Sequence, residues 1–166
     1  MPAKASCATR GQVGAAYDPR VTIEYEWRGA FENLEINRLH AEAFDAPVCS
    51  SDEWDWRAQV AGHSLGWVVA RDGGALAGFV NVLWDGLVHA WIQDTMVAAS
   101  ARGRGIGTQL VARATDAARA AGCEWLHVDF EDDLRDFYFA ACGFRPITAG
   151  LIQLRSPRGS ATFIGP

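Results

Sequence analysis

The chain has 166 residues, 49% of them hydrophobic and 21% charged, with a formal net charge of −5. That is chain enough for one domain with a real core. The acidic balance argues against a general nucleic-acid binder and leaves room for a cationic substrate, and no apolar run approaches the ~20 residues of a membrane span.

Residues 1–19 are rich in Ala and Gly and carry Lys4 and Arg10 without an apolar segment. They read as a mobile N-terminal tail rather than a secretory signal, with a single domain over 20–166. Cys7, Cys49, Cys123 and Cys142 are scattered, with no C-x-x-C pair. That spacing offers no metal site and no disulfide framework, and it fits a reducing cytoplasm.

Val21–Trp27 alternates Val21, Ile23, Tyr25 and Trp27 with polar residues, which predicts a first strand. Asn33 is placed to cap a helix reaching about Phe44, with Ile36, Leu39 and Ala43 at helical spacing. A second helix is expected from Ser51, with Trp56 and Val60 on one face and Gly62 as its stop. Leu65–Arg71 and Leu76–Trp84 flank Asp72-Gly73-Gly74, a hairpin signal, and Asp85-Gly86 leads into Val88–Val97. The middle of the chain therefore reads as an antiparallel meander. From Ile106 the period turns helical, with Ile106, Leu110, Ala114, Ala117 and Ala121 on one stripe and Gly122 past its end. Trp125–Phe130 reads as a strand, Leu134–Cys142 as a helix ended by Gly143, and Leu151–Leu154 as a short strand. The fold class is α/β (α+β): a mixed, largely antiparallel sheet with helices packed on both faces.

Between the meander and the helix lies Met96–Thr108, in which Gly103, Gly105 and Gly107 alternate with Arg104 and Ile106. Strand, glycine loop and helix start form an anion cradle, because the first-turn N–H groups have no intrahelical partner and the helix dipole favours negative charge. Glycine also admits close approach and positive φ. We read a pyrophosphate site. The spacing is not the G-x-G-x-x-G of dinucleotide folds, and no lysine follows as in a nucleotide P-loop.

Arg102-Gly103-Arg104-Gly105-Ile106-Gly107, after Val97 and before Leu110-Val111, resembles the coenzyme A motif of the GNAT N-acetyltransferase superfamily. Phe137-Tyr138 followed by Cys142-Gly143-Phe144 is similar to that family's second signature, and the element order from Val21 to Leu154 also matches. The resemblance implies an acetyl-CoA co-substrate and no metal. It implies that main-chain N–H groups of Arg102, Gly103, Arg104, Gly105, Ile106, Gly107 and Thr108 take the pyrophosphate. The pantetheine arm would pair with Met96 and Val97 like an added strand, and an N–H near Val97 would polarise the thioester carbonyl. The expected activity is acetyl transfer to a primary amine, of a small molecule or a protein, by direct attack in a ternary complex. A domain of the same fold that senses acyl-CoA without turnover is the alternative. A homodimer is the default assembly.

Such chemistry needs the acceptor ammonium (pKa ~10) to lose a proton and the leaving thiolate (thiol pKa ~8.5) to gain one. Tyr138 is the expected acid. It stands one residue earlier than the family's tyrosine, a place held here by Phe139, so on an ideal helix it points about 100° away. A one-residue bulge would restore its direction; otherwise Tyr138 packs. For the base, strand alternation puts His89, Trp91, Gln93, Thr95 and Val97 on one face and Ala90, Ile92, Asp94 and Met96 on the other. Gln93 and Trp91 cannot accept a proton, whereas Asp94 can, if it is not a structural ion pair or cap. His89 is a second candidate, and water relaying to a distant carboxylate a third. The acceptor pocket is expected from the first two helices and adjoining strands, where Trp27, Trp54, Trp56, Trp84 and Trp91 serve core or pocket. Glu24, Glu26, Glu42, Asp52 and Glu53 are expected mainly on the solvated surface.

Overall fold

The computed structural model describes residues 22–152 and 154. These group into two compact units, one ending at Asp129 and the other beginning at Phe130. The expected tail lies outside the described residues.

The first unit is built on a sheet of β1 (Glu24–Trp27), β2 (Ser64–Asp72), β3 (Ala75–Trp84), β4 (His89–Val97) and β5 (Trp125–Val128). The strands lie in sequence order; the first four are antiparallel, and β5 runs parallel to β4. The Gly73-Gly74 turn closes the β2–β3 hairpin as its sequence dictates.

One face of the sheet carries α1 (Asn33–Phe44) and α2 (Trp56–His63). Phe31, Ile36, Leu39, Trp56 and Val60 pack there on Val69, Phe79 and Met96 of the strands. Buried Asn37 ties the layer together: its Oδ1 accepts from Trp56 Nε1 (2.7 Å) and its Nδ2 donates to the carbonyls of Ser50 and Trp54. The opposite face carries α3 (Ile106–Ala120), whose Ile106 and Leu110 sit over Gly78. Adjacent residues on a strand face opposite ways, so Gly78 and Phe79 look to different helix layers.

Several boundaries differ from expectation. Asn33 is not the cap of α1. Glu32 holds that place in a reciprocal capping box with Glu35, and Asn33 instead donates to Asp55 Oδ1 (2.7 Å) and accepts from the N–H of Arg57. The second helix starts at Trp56 rather than Ser51, capped by Asp55, whose carboxylate accepts from the N–H of Ala58. Ser50 and Glu53 close a separate turn before it, and Gly62 lies within α2. The buried stripe of α3 is Ile106, Leu110, Val111, Ala114 and Ala118, so Ala117 and Ala121 lie off it; Val111 and Ala118, seven apart, sit two turns from each other. β1 begins at Glu24, and Val21 lies outside the described residues. Leu151, Ile152 and Leu154 form no strand and are strongly exposed, while Gln153 lies outside the described residues.

Candidate active site

β4 ends at Val97, a tight turn occupies Ala99–Ala101, and α3 starts at Ile106. Gly103 and Gly105 take φ of +74° and +75°, a region L-residues with a Cβ avoid, and no atom lies within 4 Å of where a Cβ would stand on either. The loop therefore presents bare backbone to open space. Gly105 is the N-cap of α3 and no side chain caps the helix start, so its first-turn N–H groups remain available to an anion. Ile106 is buried and pins the helix start to the sheet, while Gly107 and Thr108 are half-exposed in the same turn. These residues fit a pyrophosphate.

Three contacts hold the loop in place. Glu42 of α1 is exposed, as expected, and also accepts from the N–H of Ala99 (2.8 Å). Arg102 Nε donates to the Val97 carbonyl at 3.3 Å. Arg104 forms an ion pair with Asp72 at the end of β2, so part of its charge is already balanced. The two long-range partners, Glu42 and Asp72, have no local signal in the sequence.

The strand leading into the loop is interrupted. Phe79 pairs with Met96 but Asn81 with Gln93, so β4 spends one residue more than β3 over this interval. Asp94 has a left-handed backbone, φ +52°, within that bulge. The extra residue reverses the face parity: Met96 packs with Phe79 in the α1–α2 layer, on the side of Gln93, and does not share the face of Ala90 and Ile92 as alternation predicts. Among the described residues no hydrogen bond or ion pair reaches the Asp94 carboxylate. The structural ion pair weighed for it is therefore not formed among the described residues, and burial pushes its pKa up to about 6.

Past the bulge, the N–H of Ala98 donates to Ala77 on β3, so the N–H and C=O of Val97 point to the other side of β4. On that side the β4–β5 ladder runs only from His89↔Trp125 to Ile92↔Val128. The last stretch of β4 therefore has no strand beside it on that edge among the described residues. Met96 is fully buried, and its carbonyl faces β3, 3.0 Å from where a Cβ on Gly78 would stand.

His89, the second base candidate, has a partner that sequence reasoning missed. Its Nδ1 lies 2.8 Å from Nε2 of His127 on β5, and Trp91 stacks on both rings. The one signal was that both histidines sit in strand alternation; the parallel register that joins them was not readable. Of the tryptophans, Trp56 is wholly buried, Trp54 stacks on it at 5.0 Å, and Trp84 is 40% exposed.

The second unit contains Tyr138. Residues Asp136–Ala141 form a π-helical turn, with the N–H of Cys142 bonded to the carbonyl of Phe137, five residues back. A helix was expected here, and the turn found is wider than an α-helical one. Tyr138 is 5% exposed; its ring stacks on Phe130 at 4.7 Å and meets Phe137 and Phe144 edge-on.

Comparison with known proteins bears on the family and the fold. The model of the acetyltransferase (GNAT) family matches residues 33–144. Over 53 residues the chain is 43% identical to the probable glucosamine 6-phosphate N-acetyltransferase 2 of Oryza sativa subsp. japonica, a stretch covering 32% of this chain and 31% of that protein. The match thus spans less than a third of that relative. Among solved structures, a GNAT-family acetyltransferase of Streptococcus pneumoniae superposes with a TM-score of 0.64 at 20% identity, covering 82% of this chain and all of that one. The glucosamine-6-phosphate N-acetyltransferase of Arabidopsis thaliana gives 0.64 at 17% identity, covering 80% of this chain and 99% of that one. At these identities the likeness is one of fold. No helix among the described residues is long and apolar enough to cross a membrane. By the family match over most of its length, the chain belongs to the acetyltransferase (GNAT) family.

Proposed function

We propose that the chain transfers an acetyl group from acetyl-CoA to a primary amine by direct attack within a ternary complex. The observation that carries this reading is the uncapped glycine loop at the start of α3, joined to a β4 end whose Val97 N–H and C=O point away from β3. In this reading the backbone of Arg102–Thr108 holds the pyrophosphate, and the pantetheine arm pairs with the outward N–H and C=O of Val97, with buried Met96 behind it. The Val97 N–H polarises the thioester carbonyl, a donor worth about 2.7–4 kcal/mol when aimed at developing negative charge. Arg102 must then release the Val97 carbonyl it now holds.

Bound acetyl-CoA supplies the acyl group; the protein supplies orientation and proton transfer. Asp94 accepts a proton from the attacking nitrogen, and its isolated, half-buried carboxylate supports that role. Tyr138 gives a proton to the leaving sulfur; what supports this is that Asp136–Ala141 departs from the ideal helix on which its offset was reckoned. The enclosure of its ring by three phenylalanines favours the second reading, a domain that holds acyl-CoA without turnover. The 53-residue match supports an amino-sugar phosphate as the first acceptor to try, with other small amines and protein amino groups after it. The reading also places the chain in the cytoplasm, as a homodimer.

Thiol release from acetyl-CoA, measured with glucosamine 6-phosphate, polyamines, aminoglycosides, amino acids and peptides, tests the proposal. We expect release with at least one acceptor. CoA binding without release on any would favour the sensor, and thermal stabilisation by NAD or ATP but not CoA would overturn both.

A further inference from the structure

We propose that His127 and His89 form a two-imidazole relay that carries the acceptor's ammonium proton out of the site; this rests on the acetyltransferase reading above. His127 stands on β5 opposite Trp91, one pair before the β4–β5 ladder ends at Ile92↔Val128. His89 stands two residues further back, at the start of β4. Their nitrogens, His89 Nδ1 and His127 Nε2, are 2.8 Å apart, so one must donate and the other accept. The remaining nitrogens, His127 Nδ1 and His89 Nε2, lie outside that bond. A proton that enters on one ring therefore leaves from the other.

The surroundings fix this direction. Trp91 stacks on His127 (5.0 Å between centroids, 20° between planes) and on His89 (6.0 Å, 28°), which restrains both rings from swinging out of the shared bond. His127 lies at the end of the ladder nearer the parting of β4 and β5, the end toward the bulge and Val97. His89 lies at the opposite end, where the Asp85 carboxylate accepts the N–H groups of Leu87 and His89. Both histidines are half-buried, so each keeps an outlet.

The protons balance as follows. The ammonium gives one proton to His127 Nδ1; the bridging proton passes from His127 Nε2 to His89 Nδ1; His89 Nε2 releases one to water. Tautomer exchange resets the pair. The freed amine forms its bond to the acetyl carbon as the carbon–sulfur bond breaks. Its second proton goes to Asp94, Tyr138 protonates the sulfur, and Asp94 and Tyr138 regain their starting states by giving one proton to water and taking one from it. One proton leaves per turnover, and it leaves through the imidazoles.

The test combines kinetics with a readout that needs no substrate. In 15N NMR of the full chain, His89 Nδ1 and His127 Nε2 should report complementary donor and acceptor states, and His127→Asn should change the His89 signal. With the acceptor that gives the fastest thiol release, His127→Phe and His89→Phe should each lower kcat about 10²-fold while CoA affinity stays unchanged. His127→Gly should regain activity on addition of imidazole, and His127→Phe should not, a difference that loss of packing does not produce. Tautomers that ignore each other, parent-like kcat in both phenylalanine variants, or a CoA-binding His127→Gly without imidazole rescue would overturn the relay. Absence of thiol release from the parent with every acceptor would overturn the transfer reading beneath it.

Discussion

Gly78 of β3 lies so close under Leu110 of α3 that a Cβ on the glycine would come within 2.9 Å of the leucine Cδ1. The same Cβ would stand 3.0 Å from the Met96 carbonyl and 3.2 Å from Ile106 Cγ2. All three neighbours are buried, so none can step aside freely. Ile106 opens α3 directly behind the glycine loop, so pressure here moves the proposed cradle. Gly78→Ala should therefore destabilise the fold by about 1–3 kcal/mol, as overpacking does, and weaken CoA binding. Thermal unfolding and a CoA titration of one preparation check both.

How far the sequence disclosed this site follows from which signals are local. The hairpin at Gly73-Gly74 and the glycine entry to α3 depend on a few adjacent residues and were legible. The Glu32 cap was not, because a glutamate in the cap position is uncommon and Asn33 beside it is a favoured type. The bulge at Asp94 is a single inserted residue, invisible to a pattern that assumes period two, and it reversed the facing of Met96. The π-helical turn left one trace, the offset of Tyr138 from Gly143. Contacts between distant elements, such as Arg104 with Asp72 and His89 with His127, had no trace until the strands were in register.

Gly105 separates strain from ligand contact. Its φ of +75° makes any Cβ costly, but nothing lies within 4 Å of that Cβ. Gly105→Ala should cost about 1–2 kcal/mol in stability through backbone strain alone, and it should retain measurable CoA binding. Gly105→Glu adds bulk and negative charge where the pyrophosphate is proposed to lie, and should abolish CoA binding by calorimetry. Equal CoA affinity in the parent and the glutamate variant would remove the loop from the site.

Tyr138→Phe removes one oxygen from a ring that is otherwise stacked on Phe130 and flanked by Phe137 and Phe144. The phenylalanine keeps those ring contacts. If the hydroxyl protonates the leaving sulfur, kcat should fall about 10²-fold or more with CoA affinity unchanged. Steady-state thiol release and a CoA titration decide it: full activity in the variant would leave Tyr138 a packing residue.

Asp94→Asn should move activity and stability in opposite directions. The carboxyl is pushed from 3.8 up to about 6 by burial, so the folded state binds its proton more tightly than the unfolded chain does. Stability linked to this group is therefore fully present below pH ~4 and is lost as pH rises through about 6. The loss amounts to about 3 kcal/mol, at 1.36 kcal/mol per pKa unit. Asparagine carries no charge to desolvate and tolerates the left-handed backbone, so the bulge should survive. The variant should melt higher than the parent at pH 8 and at nearly the same temperature at pH 3.5. As the proposed base, Asp94 must be ionised, so parent kcat should rise with pH through about 6 and then level. In Asp94→Asn that limb should vanish and kcat should drop about 10²-fold or more. A lower melting temperature at pH 8 with the limb intact would make Asp94 a structural carboxylate instead.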